Sequence, residues 1–282
     1  MNIDWSRVNM YQQCPRLYWW RFVQNFTPRT TALPLTFGKA MHAGLAAHYA
    51  NKPELVTPHL NAVYDEAAAE PYLPAEREEL RKQQNYVQYA MKMYQDHYAR
   101  EPWTVLAPEV EGDLPLGTHR YFFRADVLVS MRGHPWLLEH KTTSQLGPTF
   151  FSKFRNDGQI TMYCYGIWQK LGTRPVGVII NAIRKSRSMD KVTFERELVM
   201  RPQQQIEDYV EVFTRQADQI EYLLENHRKD KQMWLMYTGA CVAYHRACDY
   251  LDLCLKDSPD MRLMYKTRTP DYVDEGGSSG GT

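Results

Sequence analysis

The stretch Trp136-Leu137-Leu138-Glu139-His140-Lys141-Thr142 places two ionisable side chains, two residues apart, at the end of an otherwise apolar run of strand character. Successive side chains of a strand point to opposite faces, so Glu139 and Lys141 project together while His140 points the other way. Glu139-His140-Lys141 is the only place in the chain where Asp or Glu precedes Lys by two. Charge on a buried strand is costly unless it has a use, which favours chemistry over an ornamental ion pair. Upstream, Arg124-Ala125-Asp126-Val127-Leu128-Val129 reads as the preceding strand. Twelve residues separate Asp126 from Glu139, enough for a strand, a turn at Gly133 and a return strand that brings both carboxylates to one rim.

Two carboxylates beside a lysine suit phosphodiester hydrolysis. Hard oxygen donors hold Mg²⁺ or Mn²⁺, which neutralises a scissile phosphate and helps to activate water. An adjacent ammonium orients that water or offsets charge building on phosphorus.

Around this centre the periodicity runs helix, strand, helix. Ser6 is a candidate N-cap, and Cys14-Pro15 restarts a short helix. Residues Gly38 to Ala50 and Ala75 to Arg100 carry apolar side chains at helical spacing. Thr104 to Val110, Tyr121 to Met131 and Trp136 to Thr142 read as strands. A helix follows from Phe154 to Leu171, then strands Val176 to Ile183 and Lys191 to Leu198 joined by the basic turn Arg184-Lys185-Ser186-Arg187, then a helix from Pro202 to His227. This order implies an α/β protein, a central sheet wrapped by helices.

The 282 residues carry 34 Lys+Arg against 33 Asp+Glu, a net charge of +1 that conceals local imbalance. Residues 61–79 sum to −5, and residues 141–191, with nine basic and two acidic side chains, to +7. With 44% hydrophobic residues the composition excludes a disordered or fibrous chain. No apolar run approaches the roughly 20 residues that span a bilayer. The first residues, MNIDWSRVNMYQQ, lack a signal-peptide pattern, and five cysteines form no disulfide framework, so a reducing cytoplasm is expected.

Two further groups stand out. His42 lies in the first turns of the helix that begins at Gly38, whose Gly44, Ala46 and Ala47 permit close backbone approach, and Gln159 and Tyr163 lie one turn apart on a helical face. Glu109, in Pro108-Glu109-Val110, reads as a surface residue, with an accessory acid as the alternative. Cys241, Cys248 and Cys254, with the distant Cys14, are four thiols able to form a zinc or iron–sulfur site, and His245 is an alternative zinc ligand. Cys164 reads as a buried structural thiol.

Taken in order, Ser6…Cys14-Pro15…Tyr18, Gly38…His42, Asp126, Glu139-x-Lys141, Gln159…Tyr163 and the terminal cysteine trio resemble the PD-(D/E)XK nuclease superfamily. They resemble most its RecB-type branch stapled by an iron–sulfur cluster, which includes CRISPR-associated and phage exonucleases. The resemblance implies a restriction-endonuclease-like mixed sheet flanked by helices, in one domain over residues 1–265. That domain comprises a helical region (residues 1–102), a catalytic sheet (residues 103–200) and a cysteine-bearing region (residues 201–265), before a disordered tail (residues 266–282). It implies a metal-dependent DNA exonuclease acting on single strands or duplex ends. His42, Asp126, Glu139 and the His140 carbonyl would bind Mg²⁺ or Mn²⁺, with Lys141 catalytic. Gln159 and Tyr163, with the basic Arg184, Lys185 and Arg187, would contact DNA. Cys14, Cys241, Cys248 and Cys254 would carry a 4Fe–4S cluster, Zn²⁺ being the alternative. Two departures are Arg124, where the family commonly has glycine, and the wide spacing within the cysteine trio. Rival expectations are a catalytically silent nucleic-acid-binding or assembly subunit and a zinc-bearing interaction module. A homo-oligomer, or a recombination or CRISPR protein partner, is compatible with either.

Overall fold

Gly177–Lys185 is apolar on both faces along VIINAI, a pattern that needs cover on both sides, and it becomes an inner strand of a five-stranded sheet. The computed structural model describes residues 1–29, 33–69, 74–243, 246–269 and 273. They fall into two compact units interleaved in sequence, one of residues 1–29, 112–123 and 207–282, the other of residues 30–111 and 124–206.

The second unit holds the five-stranded sheet, in the order Thr104–Ala107, Val127–Met131, His134–Thr143, Gly177–Lys185, Val192–Met200. Its central pair, His134–Thr143 with Gly177–Lys185, is parallel and the other three are antiparallel, so the sheet is mixed. The crossover between the parallel strands carries the helix Gly158–Leu171, as a parallel connection requires. The expected turn at Gly133 is a two-residue hairpin in which Arg132 (φ 54°) and Gly133 (φ 79°) are both left-handed, the geometry that matches strand twist.

Helices Leu33–Tyr49, Pro53–Ala68 and Pro74–His97 cover one sheet face, where Phe37, Met41, Leu45, Leu60, Tyr94, Val129, Leu138, Ile179 and Ile183 form one core. Close crossing depends on Gly44: a Cβ there would lie 2.7 Å from Leu60 Cδ2. Gly38 likewise sits where a Cβ would be 3.1 Å from Thr142 Oγ1, which seats the helix one turn before His42 against the end of the Glu139 strand.

Several boundaries differ from expectation for identifiable reasons. The first helix is Trp5–Gln13, capped by Asp4 and not by Ser6, because the Asp4 carboxylate accepts the Arg7 N–H at 2.7 Å. Pro15 begins Pro15–Tyr18 from an extended Cys14, as the sequence implies. Helix Pro53–Ala68 was hidden by Pro53 and Pro58: Pro53 stands in its first turn, where proline is well tolerated. The expected Tyr121–Met131 strand is two strands, His119–Ala125 and Val127–Met131, broken at Asp126 and belonging to different sheets. Helix Gly158–Leu171 starts later than expected because the Asp157 carboxylate caps it through Ile160 N–H, leaving Phe154 in a preceding 3-10 turn.

In the first unit, Asn2–Ile3 pairs in parallel with His119–Ala125, which neighbours Val110–Leu116. Tyr121 meets Phe213 of the helix Gln203–Asn226 edge to face, with centroids 5.5 Å apart. Lys266 and Thr267, expected in the tail, pair with Thr27 and Phe26, while residues 274–282 lie outside the described residues. Among the described residues no helix is long and apolar enough to cross a membrane.

Arg201, fully buried, secures the start of the Gly158–Leu171 helix. Its guanidinium donates to Thr161 Oγ1 (2.9 Å), Arg155 O (3.1 Å) and the Phe154 carbonyl. Arg201→Met removes these three hydrogen bonds from a charged donor, each worth ~1.5–3 kcal/mol, although Arg155 O keeps its bond from Gln205 Nε2 and Phe154 O that from the Asp157 N–H. Urea unfolding should therefore show a loss of ~3 kcal/mol or more, with faster amide exchange over Ser152–Ile160; stability within about 0.5 kcal/mol of the parent, the worth of one weak hydrogen bond, would contradict this role.

Candidate active site

The parallel register sets His140 beside Asn181 and Lys141 beside Ala182. Alternation then divides the strand's functional side chains between the two sheet faces. Glu139, 3% exposed, and Lys141 share the face of the Gly158–Leu171 helix; Lys141 Nζ donates to Glu139 Oε1 (2.8 Å) and to Gln159 Oε1 (2.7 Å). Gln159 Nε2 in turn donates to Tyr163 OH (3.0 Å), so the polar and aromatic pair foreseen one turn apart joins the lysine in one chain of hydrogen bonds.

His140 faces the helical layer. Its ring stacks on Tyr49 (5.4 Å between centroids), and its Nδ1 accepts from Asn181 Nδ2 at 2.7 Å. Asn181 also donates to Tyr94 OH, while Arg196 donates to Asn181 Oδ1, Tyr94 OH and both oxygens of Glu101. Sequence reasoning missed this buried network. Its signal was Asn181, a lone amide within VIINAI, visible by the same logic that singles out Glu139.

Asp126 occupies the strand break. The free backbone N–H of His140 donates to its Oδ2 at 2.8 Å, and His42 Nδ1 lies 3.1 Å from its Oδ1. His42, Asp126 and His140 line a cleft of about 330 Å³ together with Ala43, Ala46, Val127, Glu109 and Arg124. Glu109, read from sequence as a surface residue, is exposed and yet borders this cleft.

The ionisation pattern follows from burial and neighbours. For Glu139, burial and then the Asp126 charge oppose ionisation more than Lys141 promotes it, and the pKa is pushed up to about 7. Burial alone would raise Asp126, but His42 beside it holds the carboxyl well below its ordinary range. Burial depresses His42, and Asp126 together with Glu139 more than offsets that, leaving the imidazole raised. Burial drives His140 down to about 3, so the ring is neutral. Burial opposes the charge on Lys141, but Glu139, with Asp126 and Asp157, outweighs it and the pKa is raised.

The donor set fits a hard divalent ion in kind. Glu139 Oε2 is buried without a hydrogen-bond partner, the sort of orphaned oxygen that a cation satisfies. The closed cage expected of His42, Asp126 and Glu139 is not assembled: among the described residues no three His, Cys, Asp or Glu side chains are grouped to hold an ion. His42 is turned to Asp126, and Glu139 Oε1 to Lys141. Mg²⁺ needs no such cage, because it is ordinarily held by one or two carboxylates, retained waters and substrate phosphates.

The other expected residues are dispersed. Arg184 pairs with Thr143 and lies on the Lys141 face, two residues beyond Ala182, whereas Lys185 turns to the opposite face with its ammonium 4.8 Å from the Phe37 ring centre. Arg187 lies in the turn after Lys185. Cys14, Cys241, Cys248 and Cys254, none of them in a disulfide, line one small pocket within the first unit, and Trp20 Nε1 donates to Cys254 Sγ (3.2 Å). They are likewise not grouped as a metal site, and His245 lies outside the described residues. Cys164 is fully buried, and burial pushes its thiol up to about 12.

Glu139 gives a pH signature that needs no metal. Its folded pKa, about 7, stands above the ordinary value of 4.5, so the folded state holds the proton more tightly and its contribution is lost as pH rises through 7. In EDTA, the stability of Glu139→Gln relative to the parent should rise by ~2 kcal/mol between about pH 5.5 and 8.5 in urea titrations. A difference independent of pH would show that Glu139 ionises freely.

A search of curated proteins returns no match to the chain. One solved structure, titled "Crystal structure of SSO0001", aligns over 68% of this chain and 77% of that one at 12% identity and a TM-score of 0.30, a likeness too slight to bear weight. The model of the PD-(D/E)XK nuclease superfamily matches residues 5–255, which include Asp126, Glu139, Lys141 and all five cysteines. By that match, over most of its length, the chain belongs to the PD-(D/E)XK nuclease superfamily.

Proposed function

We propose that the protein is a divalent-metal-dependent deoxyribonuclease that degrades DNA exonucleolytically, from single strands or duplex ends, in phage or bacterial recombination, repair or CRISPR-related processing. The observation that carries this reading is the buried Glu139 carboxylate, its Oε2 unpartnered, beside Asp126 and tethered to Lys141. Asp126 and Glu139 would hold Mg²⁺ or Mn²⁺, with His42 and the His140 carbonyl at the same rim. When bound, the ion supplies Lewis-acid stabilisation of the phosphate and lowers the pKa of water.

The remaining work falls to the chain. Lys141, held charged by Glu139 and steadied by Gln159, directs an ammonium towards the scissile phosphate and offsets charge gathering on its oxygens. His42 and the His140 N–H fix both oxygens of Asp126, so that carboxylate keeps one orientation at the cleft. Tyr163, through Gln159, and Arg184, on the Lys141 face, would contact the strand being cut. In the first unit, the four thiols around one pocket support a 4Fe–4S staple joining distant segments of the sequence, with zinc as the alternative content.

On end-labelled oligonucleotides with Mg²⁺ or Mn²⁺, the protein should release nucleotides, and Glu139→Ala or Lys141→Ala should lower the rate by at least ~10²-fold while circular dichroism is preserved. Full activity in either purified variant would defeat the proposal. Anaerobic purification should give brown protein containing iron and sulfide, and Cys248→Ser should bleach it; colourless protein containing zinc would refute the cluster.

A further inference from the structure

The cleft beside Asp126 has walls of unequal character. Ala43 and Ala46 of the helix Leu33–Tyr49 contribute only methyl groups and leave room for a bulky ligand. The same lining includes the exposed Arg124, with Glu109 also at the border. Arg124 is exposed near the end of the strand His119–Ala125, between the buried Phe123 and Ala125 and two residues before Asp126. Its Nε lies 2.5 Å from Glu111 Oε1, with side-chain exposures of 43% and 45%.

A pair this exposed binds weakly and is readily exchanged, yet it gives the guanidinium a defined direction. An anionic polymer entering a cleft that already contains Asp126 meets repulsion unless a cation is placed within reach. Guanidinium matches phosphate in two-pronged geometry, which an ammonium cannot.

We propose that Arg124 is a substrate-binding residue that takes a backbone phosphate of the DNA strand next to the one being cut, with Glu111 presenting the guanidinium until phosphate replaces it. The inference rests on the nuclease reading above and assigns to that site a phosphate subsite. Contact with phosphate is blind to base identity, so the subsite grips any sequence and contributes to the salt dependence of binding.

The test uses the full chain and a fluorescein-labelled single-stranded oligonucleotide, with binding followed by anisotropy in EDTA across a series of NaCl concentrations. Arg124→Ala should weaken binding about 5- to 10-fold, equally for two unrelated sequences, and lower the slope of log K against log[NaCl] by about 0.7. Glu111→Gln, which removes the carboxylate that competes with phosphate, should tighten binding, an opposite sign that misfolding cannot imitate. In the cleavage assay Arg124→Ala should raise KM with kcat little changed. An unaltered slope and affinity in Arg124→Ala, or weaker binding in Glu111→Gln, would overturn the proposal. Because binding is read without metal or cleavage, failure of the nuclease reading would show separately, as full activity in Glu139→Ala.

Discussion

The structure turns on one carboxylate kept out of water. Glu139 sits in an inner strand, parallel-paired on one side and antiparallel-paired on the other, where an unpaired charge is costly. The fold meets that cost only in part, through Lys141, and leaves the second oxygen unpartnered. A protein selected for stability alone has no reason to retain such a group. The strain is intelligible if the missing partner is a cation that arrives with the substrate.

Strand alternation organises everything around that group. On one face Glu139 and Lys141 meet Gln159, and on the other His140 meets Asn181, Tyr49 and Tyr94. The second face is a buried polar network closed by the Arg196–Glu101 pair, whose side chains are 14% and 16% exposed. It holds the strand from behind, so the His140 N–H stays aimed at Asp126. Rigidity on the helical side thus permits an under-satisfied carboxylate on the other.

Much of this was legible in the sequence because it follows from period two. The Glu-x-Lys spacing, the turn at Gly133 and the approach of Asp126 to Glu139 all come from strand geometry and hairpin register. What stayed hidden depends on tertiary detail. The break at Asp126 lies within a stretch whose local propensity reads as one continuous strand, and Pro53 and Pro58 disguise a helix that tertiary packing sustains. His42 does stand beside Asp126, but sequence could not show that its Nδ1 faces the Oδ1 of that carboxylate. Lys185 belongs to a basic run, yet parity puts it on the Phe37 side, away from Lys141. Charge runs are visible in sequence, whereas the face each charge occupies depends on register.

The central claim is that Asp126 and Glu139 share one divalent ion, and calorimetric titration of the metal-free protein with Mn²⁺ addresses it most directly. The account predicts one site per chain in the parent, lost in both Asp126→Asn and Glu139→Gln and retained in Cys164→Ser. Unchanged Mn²⁺ affinity in the two carboxamide variants would contradict it.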